Sequence, residues 1–171
     1  AVRALRRREL FRIAVAQLLR RGGAGSSGSA LSDVAQATVD GALQVAIAAT
    51  ETTNGSAIRF AVIGMGRFGG HELGFGSDVD VMFVYDPLPG ADETAANSAA
   101  FAAANALRTL LMAPSEDPPL DVDADLRPEG KQGPLVRSLA SYAAYYERWS
   151  SPWEAQALLR ADVIAGDEAL G

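Results

Sequence analysis

The feature that most limits the fold is a pair of apolar segments joined by a short, glycine-rich stretch. Residues 58–63 and 78–85 are predicted as β-strands, and residues 64–76 between them hold six glycines. The G-x-G-x-x-G pattern that starts at Gly64 is typical of dinucleotide folds, in which a helix of about ten or more residues leads to a parallel strand. Only residues 70–77 remain for that helix. The sequence therefore disfavours a dinucleotide-dependent oxidoreductase, which we keep as the weaker alternative.

The second strand opens with the sequence Ser77-Asp78-Val79-Asp80. Asp78 and Asp80 are two residues apart on a strand, so their carboxylates project from one face while Val79 points to the other. Paired carboxylates beneath a glycine loop suit hard divalent cations that bridge to phosphates. We therefore predict that Asp78 and Asp80 bind metal; the alternative is that they are solvated residues at the end of a strand. Ser77 either donates a hydrogen bond to a phosphate or caps the turn.

A metal site of this type needs a third carboxylate from a neighbouring strand. Residues 120–126 alternate between apolar and acidic side chains, which predicts a third strand. One face of this strand carries three aspartates: Asp121, Asp123 and Asp125. Each is a candidate ligand, and the alternative is a solvent-facing side of the strand. Arg127 and Lys131 follow, and they either hold phosphate or a partner's surface, or belong to an ordinary charged loop.

The rest of the chain predicts a mixed α/β (α+β) fold, with a small mixed sheet flanked by helices. Helices are predicted over residues 3–20, 31–50, 93–112 and 138–149, and from Pro152 onward. Ser32 is expected to cap the second helix, and Phe101 is expected to point inward from the third. We expect leading helices over residues 1–50, with a Gly/Ser linker at 22–29, and a catalytic domain over 51–171.

Charge is distributed unevenly along the chain. Residues 1–21 hold seven arginines and one glutamate, whereas the whole chain has a formal net charge of −6. The acidic remainder argues against a nucleic-acid partner, and we interpret the basic leader as a solvated helix face. No segment approaches ~18 consecutive apolar residues and no signal peptide is visible, so we expect no membrane partner and a cytoplasmic location. With no cysteine and a single histidine, His71, the chemistry must use carboxylates, hydroxyls, arginines and backbone amides.

Three stretches, in this order, resemble the glutamine synthetase adenylyltransferase family: GMGRFGGHELGFGSDVDVMFVYD, DVDADLRPEGKQGPLV and YYERW…WEAQALLRA. The resemblance covers about residues 58–171. It implies a nucleotidyltransferase (DNA polymerase β-like) fold, with Asp123 as the third carboxylate and two Mg²⁺ ions held by Asp78, Asp80 and Asp123. It also implies that ATP is the substrate. The residues expected to line its phosphates are Gly64, Gly66, Arg67, Gly69 and Ser77.

Members of this family carry two nucleotidyltransferase domains, of which one attaches AMP to a tyrosine of glutamine synthetase and the other removes it by phosphorolysis to ADP. The HELGFGSD form is more similar to the C-terminal, adenylylating domain. We therefore expect AMP transfer that regulates nitrogen assimilation, with phosphorolytic removal as the alternative. The implied partners are glutamine synthetase and, through the full-length parent, a PII-type signal protein. We expect the family's C-terminal helical bundle to be absent, and a catalytically silent nucleotide-sensing or scaffold module is a further alternative.

Overall fold

A five-stranded mixed sheet lies at the centre of the computed structural model, which describes residues 2–19, 24–54, 57–149 and 151–170. The helices are α1 (Val2–Leu18), α2 (Ala24–Asn54), α3 (Gly66–Gly69), α4 (Glu93–Met112), α5 (Leu139–Arg148) and α6 (Pro152–Leu158). The strands are β1 (Ile58–Gly64), β2 (Val79–Pro87), β3 (Val122–Asp123), β4 (Val136–Ser138) and β5 (Asp162–Gly166). The predicted mixed α/β class is confirmed. Within the described ranges, no helix is both long and apolar enough to cross a membrane.

The order of strands across the sheet decides between the two interpretations of the glycine loop. The order is β3-β2-β1-β5, and β4 also pairs with β2. β1 and β2 are antiparallel, in a register that runs from Ile58 opposite Pro87 to Gly64 opposite Val81. The segment between them, which contains α3, therefore connects two antiparallel strands and is not a parallel crossover. This excludes the dinucleotide-fold unit at this position. β3 and β4 are parallel to β2.

β2 separates two clusters of buried side chains. One cluster, which includes side chains of α1, α2 and α4, receives the odd-numbered residues of β2: Val79, Val81, Phe83 and Tyr85. The even-numbered Met82 and Val84 belong to a smaller cluster with Tyr142 of α5 and Leu170. Because side chains alternate along a strand, Asp80 projects on the same side as Met82. This alternation places an acidic side chain at the border of the smaller cluster.

The predicted start of the second helix and the predicted Gly/Ser linker are both wrong. α2 begins at Ala24, so most of the linker placed at residues 22–29 is helical, while residues 22 and 23 lie outside the described residues. Ser32 is not a cap, because its Oγ donates to the carbonyl of Gly28 one turn earlier in the helix and accepts from Leu73 N. Contacts with the loop after α3 thus outweigh the weak helix propensity of glycine and serine.

The third strand and the inward face of α4 also differ from the predictions. β3 has only two residues instead of the predicted seven, because a turn follows directly at residues 124–127. β4 and β5 were not predicted, since such short segments carry too little periodicity. Phe101 is 51% exposed, so it lies on the solvent side of α4, whereas Leu107 and Leu111 are buried as expected from the helical period. Residues 1–50, expected as separate leading helices, share the main hydrophobic cluster with the sheet.

Candidate metal and nucleotide site

Three carboxylates converge where β2 and β3 run side by side. The parallel register places Asp80 opposite Asp123, and Val79 N donates to the carbonyl of Asp121 at 2.9 Å. One carboxylate oxygen from each of Asp78, Asp80 and Asp123 lies within 4.8 Å of the other two. Asp78 is exposed, whereas the other two are half-buried. The structure thus brings together the three residues chosen from the spacing and the resemblance, and metal binding by them stays a prediction.

The electrostatics of the trio fit a cation. Burial raises the pKa of Asp80, and the negative charges of Asp78 and Asp123 raise it further, while the positive charge of Arg67 opposes them. Like charges held this close destabilise one another unless a positive ion lies between them. Carboxylate oxygens are the ligands that Mg²⁺ and Ca²⁺ prefer. The donor set therefore fits a hard divalent ion.

The glycine loop begins directly beside Asp80. Gly66, the first residue of α3, has a φ of +55°, and a Cβ built on it would stand 2.8 Å from Asp80 Oδ2. Met65 N donates to the Asp80 carbonyl at 2.8 Å, which ties the loop to β2. Arg67 follows with an exposed side chain. Glycine is needed at position 66 both for its backbone conformation and for this close approach.

The other predicted nucleotide-binding residues have visible packing or turn contacts. Gly64 and Gly69 are buried, and a Cβ on either would overlap the chain around β5: Ile164 Cγ1 at 2.4 Å for Gly64 and the Arg160 carbonyl at 2.0 Å for Gly69. They let α3 pack against β1 and β5. Ser77 Oγ accepts from Gly74 N at 3.1 Å, so it caps the turn. A contact of any of these three with phosphate stays a prediction.

The loop after β3 holds Asp123 through the backbone. The amide of Asp125 donates to Asp123 Oδ1 at 2.7 Å. Asp125 itself pairs with Lys131 at 3.1 Å, and Lys131 is otherwise exposed. The backbone amide of Asp125, two residues after Asp123, therefore orients the carboxylate of Asp123, the candidate ligand. The carbonyl of Asp121 accepts a hydrogen bond from β2.

Arg127 is a structural residue of the same loop. It is buried, and its guanidinium donates to the carbonyls of Ala124 at 2.7 Å and Gly133 at 3.1 Å. Its Nη1 also lies 3.4 Å from Asp125 Oδ1. These bonds close the loop between β3 and β4. The side chain therefore has its donors directed into the protein, and Lys131 is the more accessible cation of the two.

The basic leader holds the segment that precedes β3, which the sequence analysis missed. Arg6 is buried and donates to the carbonyls of Pro118 and Pro119 at 3.3 and 3.2 Å. Arg3 donates to carbonyls at both ends of the 113–117 turn, each at 2.5 Å. Arg7 pairs with Asp117 at 3.0 Å. The prediction of a wholly solvated basic face is therefore wrong for Arg3 and Arg6, whereas Arg7 is exposed as predicted.

Burial lowers the pKa of Arg6, the charge of Arg3 lowers it further, and Asp121 opposes this shift. The signal available in the sequence was the i, i+3, i+4 spacing of Arg3, Arg6 and Arg7, which puts the three side chains on one helix face. Such spacing does not identify the partner. Backbone carbonyls made available by two successive prolines are distant in sequence and become visible only in the fold.

A cleft of about 660 Å³ opens along the outer edge of β3. Asp78 and Asp123 line it at one end, and Leu135 lies in its wall. The other wall is one face of α4, at the helical spacing i, i+4, i+7 and i+11: Phe101, Asn105, Arg108 and Met112. We call this space the β3-edge cleft. It connects two of the three carboxylates to a partly apolar surface.

Comparison with known proteins assigns the family. The sequence model of the family described as "Glutamate-ammonia ligase adenylyltransferase" matches residues 1–171. A Streptomyces coelicolor protein is 51% identical over 184 residues, with 100% of this chain and 18% of the relative covered. Relatives from Mycobacterium avium and Mycobacterium tuberculosis are 56% identical over 174 residues and 54% over 170; each comparison covers 99% of this chain and 17% of the relative.

All three relatives carry the name "Bifunctional glutamine synthetase adenylyltransferase/adenylyl-removing enzyme". The chain spans less than a fifth of their length. The match extends over the leading helices as well as the glycine loop and the acidic strands. The resemblance drawn from the three sequence stretches is confirmed, and the chain belongs to the glutamate-ammonia ligase adenylyltransferase family.

Proposed function

We propose that this chain forms a nucleotidyl-transferring domain that moves AMP from ATP to a tyrosine of glutamine synthetase and thereby regulates nitrogen assimilation. The observation that carries the proposal is the convergence of three carboxylates beside the Gly66 turn. The names of the relatives supply the substrate class. We also propose that the domain has the DNA polymerase β-like nucleotidyltransferase fold, since Asp80 and Asp123 lie on two neighbouring strands of a small mixed sheet and Asp78 directly precedes one of them.

Asp78, Asp80 and Asp123 would hold two Mg²⁺ ions. Bound there, the ions would neutralise phosphate charge and lower the pKa of the acceptor hydroxyl, which is near 10 when unperturbed. The half-buried position of Asp80 and Asp123 limits competition from water. The bond from Asp125 N fixes one oxygen of Asp123 and leaves the other free to bind. Arg67, close enough to affect Asp80, adds positive charge for the phosphates.

In the proposed reaction, the phenolic oxygen of the tyrosine attacks the α-phosphorus of ATP. A new oxygen–phosphorus bond forms while the bond from the α-phosphorus to the oxygen that bridges to the β-phosphate breaks. Pyrophosphate leaves, and the phenolic proton passes to solvent. The chain's contribution is to hold the phosphates in a fixed orientation between the Gly66 turn and the acidic strands, which reduces the entropic part of the barrier.

The relatives' names also include removal of the adenylyl group, which keeps phosphorolysis as a second candidate. In that direction an oxygen of orthophosphate attacks the phosphorus of the tyrosyl-AMP ester. The bond to the phenolic oxygen breaks, ADP forms, and the tyrosine takes up a proton. The same three carboxylates would serve either direction, because both pass through the same type of transition state. We further propose that a PII-type signal protein acts on the full-length parent.

The test uses the full-length parent, glutamine synthetase and ATP labelled at the α-phosphate. We expect label on a synthetase tyrosine, and a loss of at least about 100-fold in Asp80→Asn, since one ligand of the ions is weakened. Asp33→Asn, an exposed aspartate of α2, is the matched control. Orthophosphate added to adenylylated synthetase measures the reverse reaction in the same proteins. Normal rates of both reactions in Asp80→Asn would show that the trio is not the catalytic site of this domain.

A further inference from the structure

We propose that the β3-edge cleft is the acceptor site, which binds the tyrosine-bearing segment of the protein substrate, and that Arg108 pairs there with an anionic side chain of that segment. The inference rests on the proposed function, because it names the surface by which the same site receives its second substrate. It concerns residues of α4 and of the loop before β4, none of which contributes to the carboxylate trio.

The cleft and the glycine loop lie on opposite sides of β2. In the sheet, β2 lies between β1 and β3. The glycine loop follows β1 and contacts Asp80, whereas Asp123 lies on the opposite side of β2. In an in-line displacement, the nucleophile and the leaving group lie on opposite sides of the reacting phosphorus. If the glycine loop receives the leaving pyrophosphate, the acceptor hydroxyl must arrive from the side of Asp123.

The β3-edge cleft is the space on that side. Asp78 and Asp123 line it, and Asp80, which faces the glycine loop, does not. The volume of about 660 Å³ lies within the range of small-molecule and peptide side-chain sites, roughly 300–1,000 Å³. The nucleophile would thus reach the trio through this cleft.

The wall of the cleft is partly apolar. Phe101 and Met112 are large apolar side chains, 51% and 38% exposed, on the face of α4 that borders the cleft. Leu135 faces them from the loop before β4. Aromatic and thioether groups of this kind are good contacts for an aromatic ring. The wall therefore suits the phenol ring of a tyrosine.

Arg108 has no partner for its side chain among the described residues. Arg108 is half-buried in the same wall, and its Nε is fully buried without a hydrogen-bond partner. Across the described ranges no carboxylate lies within ion-pair distance of its guanidinium, although the other cations of the cleft, Arg127 and Lys131, are engaged with Asp125 and with backbone carbonyls. The buried Nε without an acceptor costs free energy, and an anion supplied by a ligand at the terminal nitrogens would stabilise the charge of the guanidinium.

The test compares binding of the two substrates in the full-length parent. The probe for the acceptor is a fluorescein-labelled peptide of glutamine synthetase that spans the modified tyrosine, titrated without ATP or Mg²⁺. We expect Arg108→Ala to weaken peptide binding and to raise KM for the synthetase by about 10- to 100-fold, with KM for ATP unchanged within about two-fold. Arg108→Lys should restore part of the affinity, because the charge remains while the planar fork is lost. Thr109→Ala, the exposed neighbour on α4, is the control.

A second variant tests the apolar wall independently of charge. Phe101→Ala should raise KM for the synthetase by about 10-fold and leave KM for ATP unchanged, whereas Leu110→Ala, exposed on α4 but outside the cleft lining, should change neither. Circular dichroism and melting temperature verify that every variant is folded.

Three outcomes would overturn the inference. A rise in KM for ATP alone in Arg108→Ala would assign this arginine to the nucleotide phosphates. Equal peptide binding by Arg108→Ala and the unsubstituted parent, or no peptide binding by either, would remove the cleft as an acceptor site. Failure of the proposed function can be distinguished from failure of this inference. It would appear as normal label transfer in Asp80→Asn, a result that does not depend on the peptide-binding measurement.

Discussion

Gly66 lies so close to Asp80 that a single added carbon would stand 2.8 Å from the carboxylate oxygen Oδ2. The contact joins the glycine loop to the acidic strand at the point where phosphate and metal would meet. Gly66 also has a φ of +55°, where a side chain costs roughly 1–2 kcal/mol. A substitution at this position therefore has two separable effects: a conformational cost and a displacement of Asp80.

Gly76→Ala separates these two effects. Gly76 has a φ of +72° but nothing within 4 Å of its Cβ position. We expect Gly66→Ala and Gly76→Ala each to lose roughly 1–2 kcal/mol of unfolding free energy in urea titrations. Only Gly66→Ala should lose label transfer, by at least about tenfold. Equal activity in the two variants would mean that the space beside Asp80 is not used by substrate.

The charge of Asp80 should make the metal-free protein less stable at neutral pH. Burial, with the negative charges of Asp78 and Asp123, raises the pKa of Asp80 in the folded state. An acid whose pKa is higher when folded binds more protons in the folded state, so stability falls as the pH rises above the unfolded value, about 3.9. The loss is complete once the pH exceeds the folded pKa. This change of stability with pH is opposite in direction to the change caused by an aspartate that a salt bridge stabilises.

Asp80→Asn tests the predicted direction of this pH dependence of stability. With a chelator present, we expect the variant to melt at a higher temperature than the unsubstituted protein at pH 7. The difference should shrink as the pH falls towards 4. Asp33→Asn, exposed on α2, should show neither effect. A lower melting temperature for Asp80→Asn at pH 7 would indicate that the carboxylate makes a favourable contact in the absence of metal.

Mg²⁺ should reverse the destabilisation that the charge of Asp80 causes in the metal-free protein. A ligand that binds only the folded state stabilises it by RT ln(1 + [L]/Kd), which is about 2.7 kcal/mol at 100 times Kd. We expect Mg²⁺ to raise the melting temperature of the unsubstituted protein, and Asp80→Asn and Asp123→Asn to lose most of this rise. Glu116→Gln, an exposed residue of the turn before β3, is a control for general charge screening. An equal rise in all four proteins would argue against binding by the trio.

Arg6 should affect metal binding from a distance. It holds the carbonyls of Pro118 and Pro119, a few residues before Asp123. We expect Arg6→Ala to lose roughly 2 kcal/mol of unfolding free energy and to weaken Mg²⁺ binding measured by calorimetry. Arg8→Ala, exposed on the same helix, is the control. If Arg6→Ala loses stability but binds Mg²⁺ normally, the arginine supports the fold without positioning β3.

Local spacing predicted the parts of the fold and site that depend on neighbouring residues. The i, i+2 spacing of Asp78 and Asp80 was sufficient to place both carboxylates together. The bounds of α4 agree with the predicted 93–112, with Asp92 as the cap that accepts from Ala95 N. The short interval after Gly69 was sufficient to predict that β1 and β2 could not form a parallel crossover.

Contacts between distant segments could not be predicted in this way. Three aspartates alternate around β3; their spacing alone does not choose between them, and Asp123 was singled out by the family resemblance and lies opposite Asp80 in the register with β2. Arg6 reaches carbonyls more than a hundred residues away. α2 begins earlier than its composition indicates because its first turns pack against the loop near Leu73. In each case a tertiary contact outweighs a local preference.

The hydrophobic cluster that α1 and α2 share with the sheet has a practical consequence for anyone who wishes to express residues 51–171 alone. A cut at residue 51, suggested by composition, would fall inside α2 and remove side chains that share the main hydrophobic cluster with Phe60, Val62 and Phe83. Without α1 and α2, the fragment would expose a broad apolar surface, and an exposed surface of this kind promotes aggregation. Shortened proteins should therefore retain both helices if they are to stay in solution.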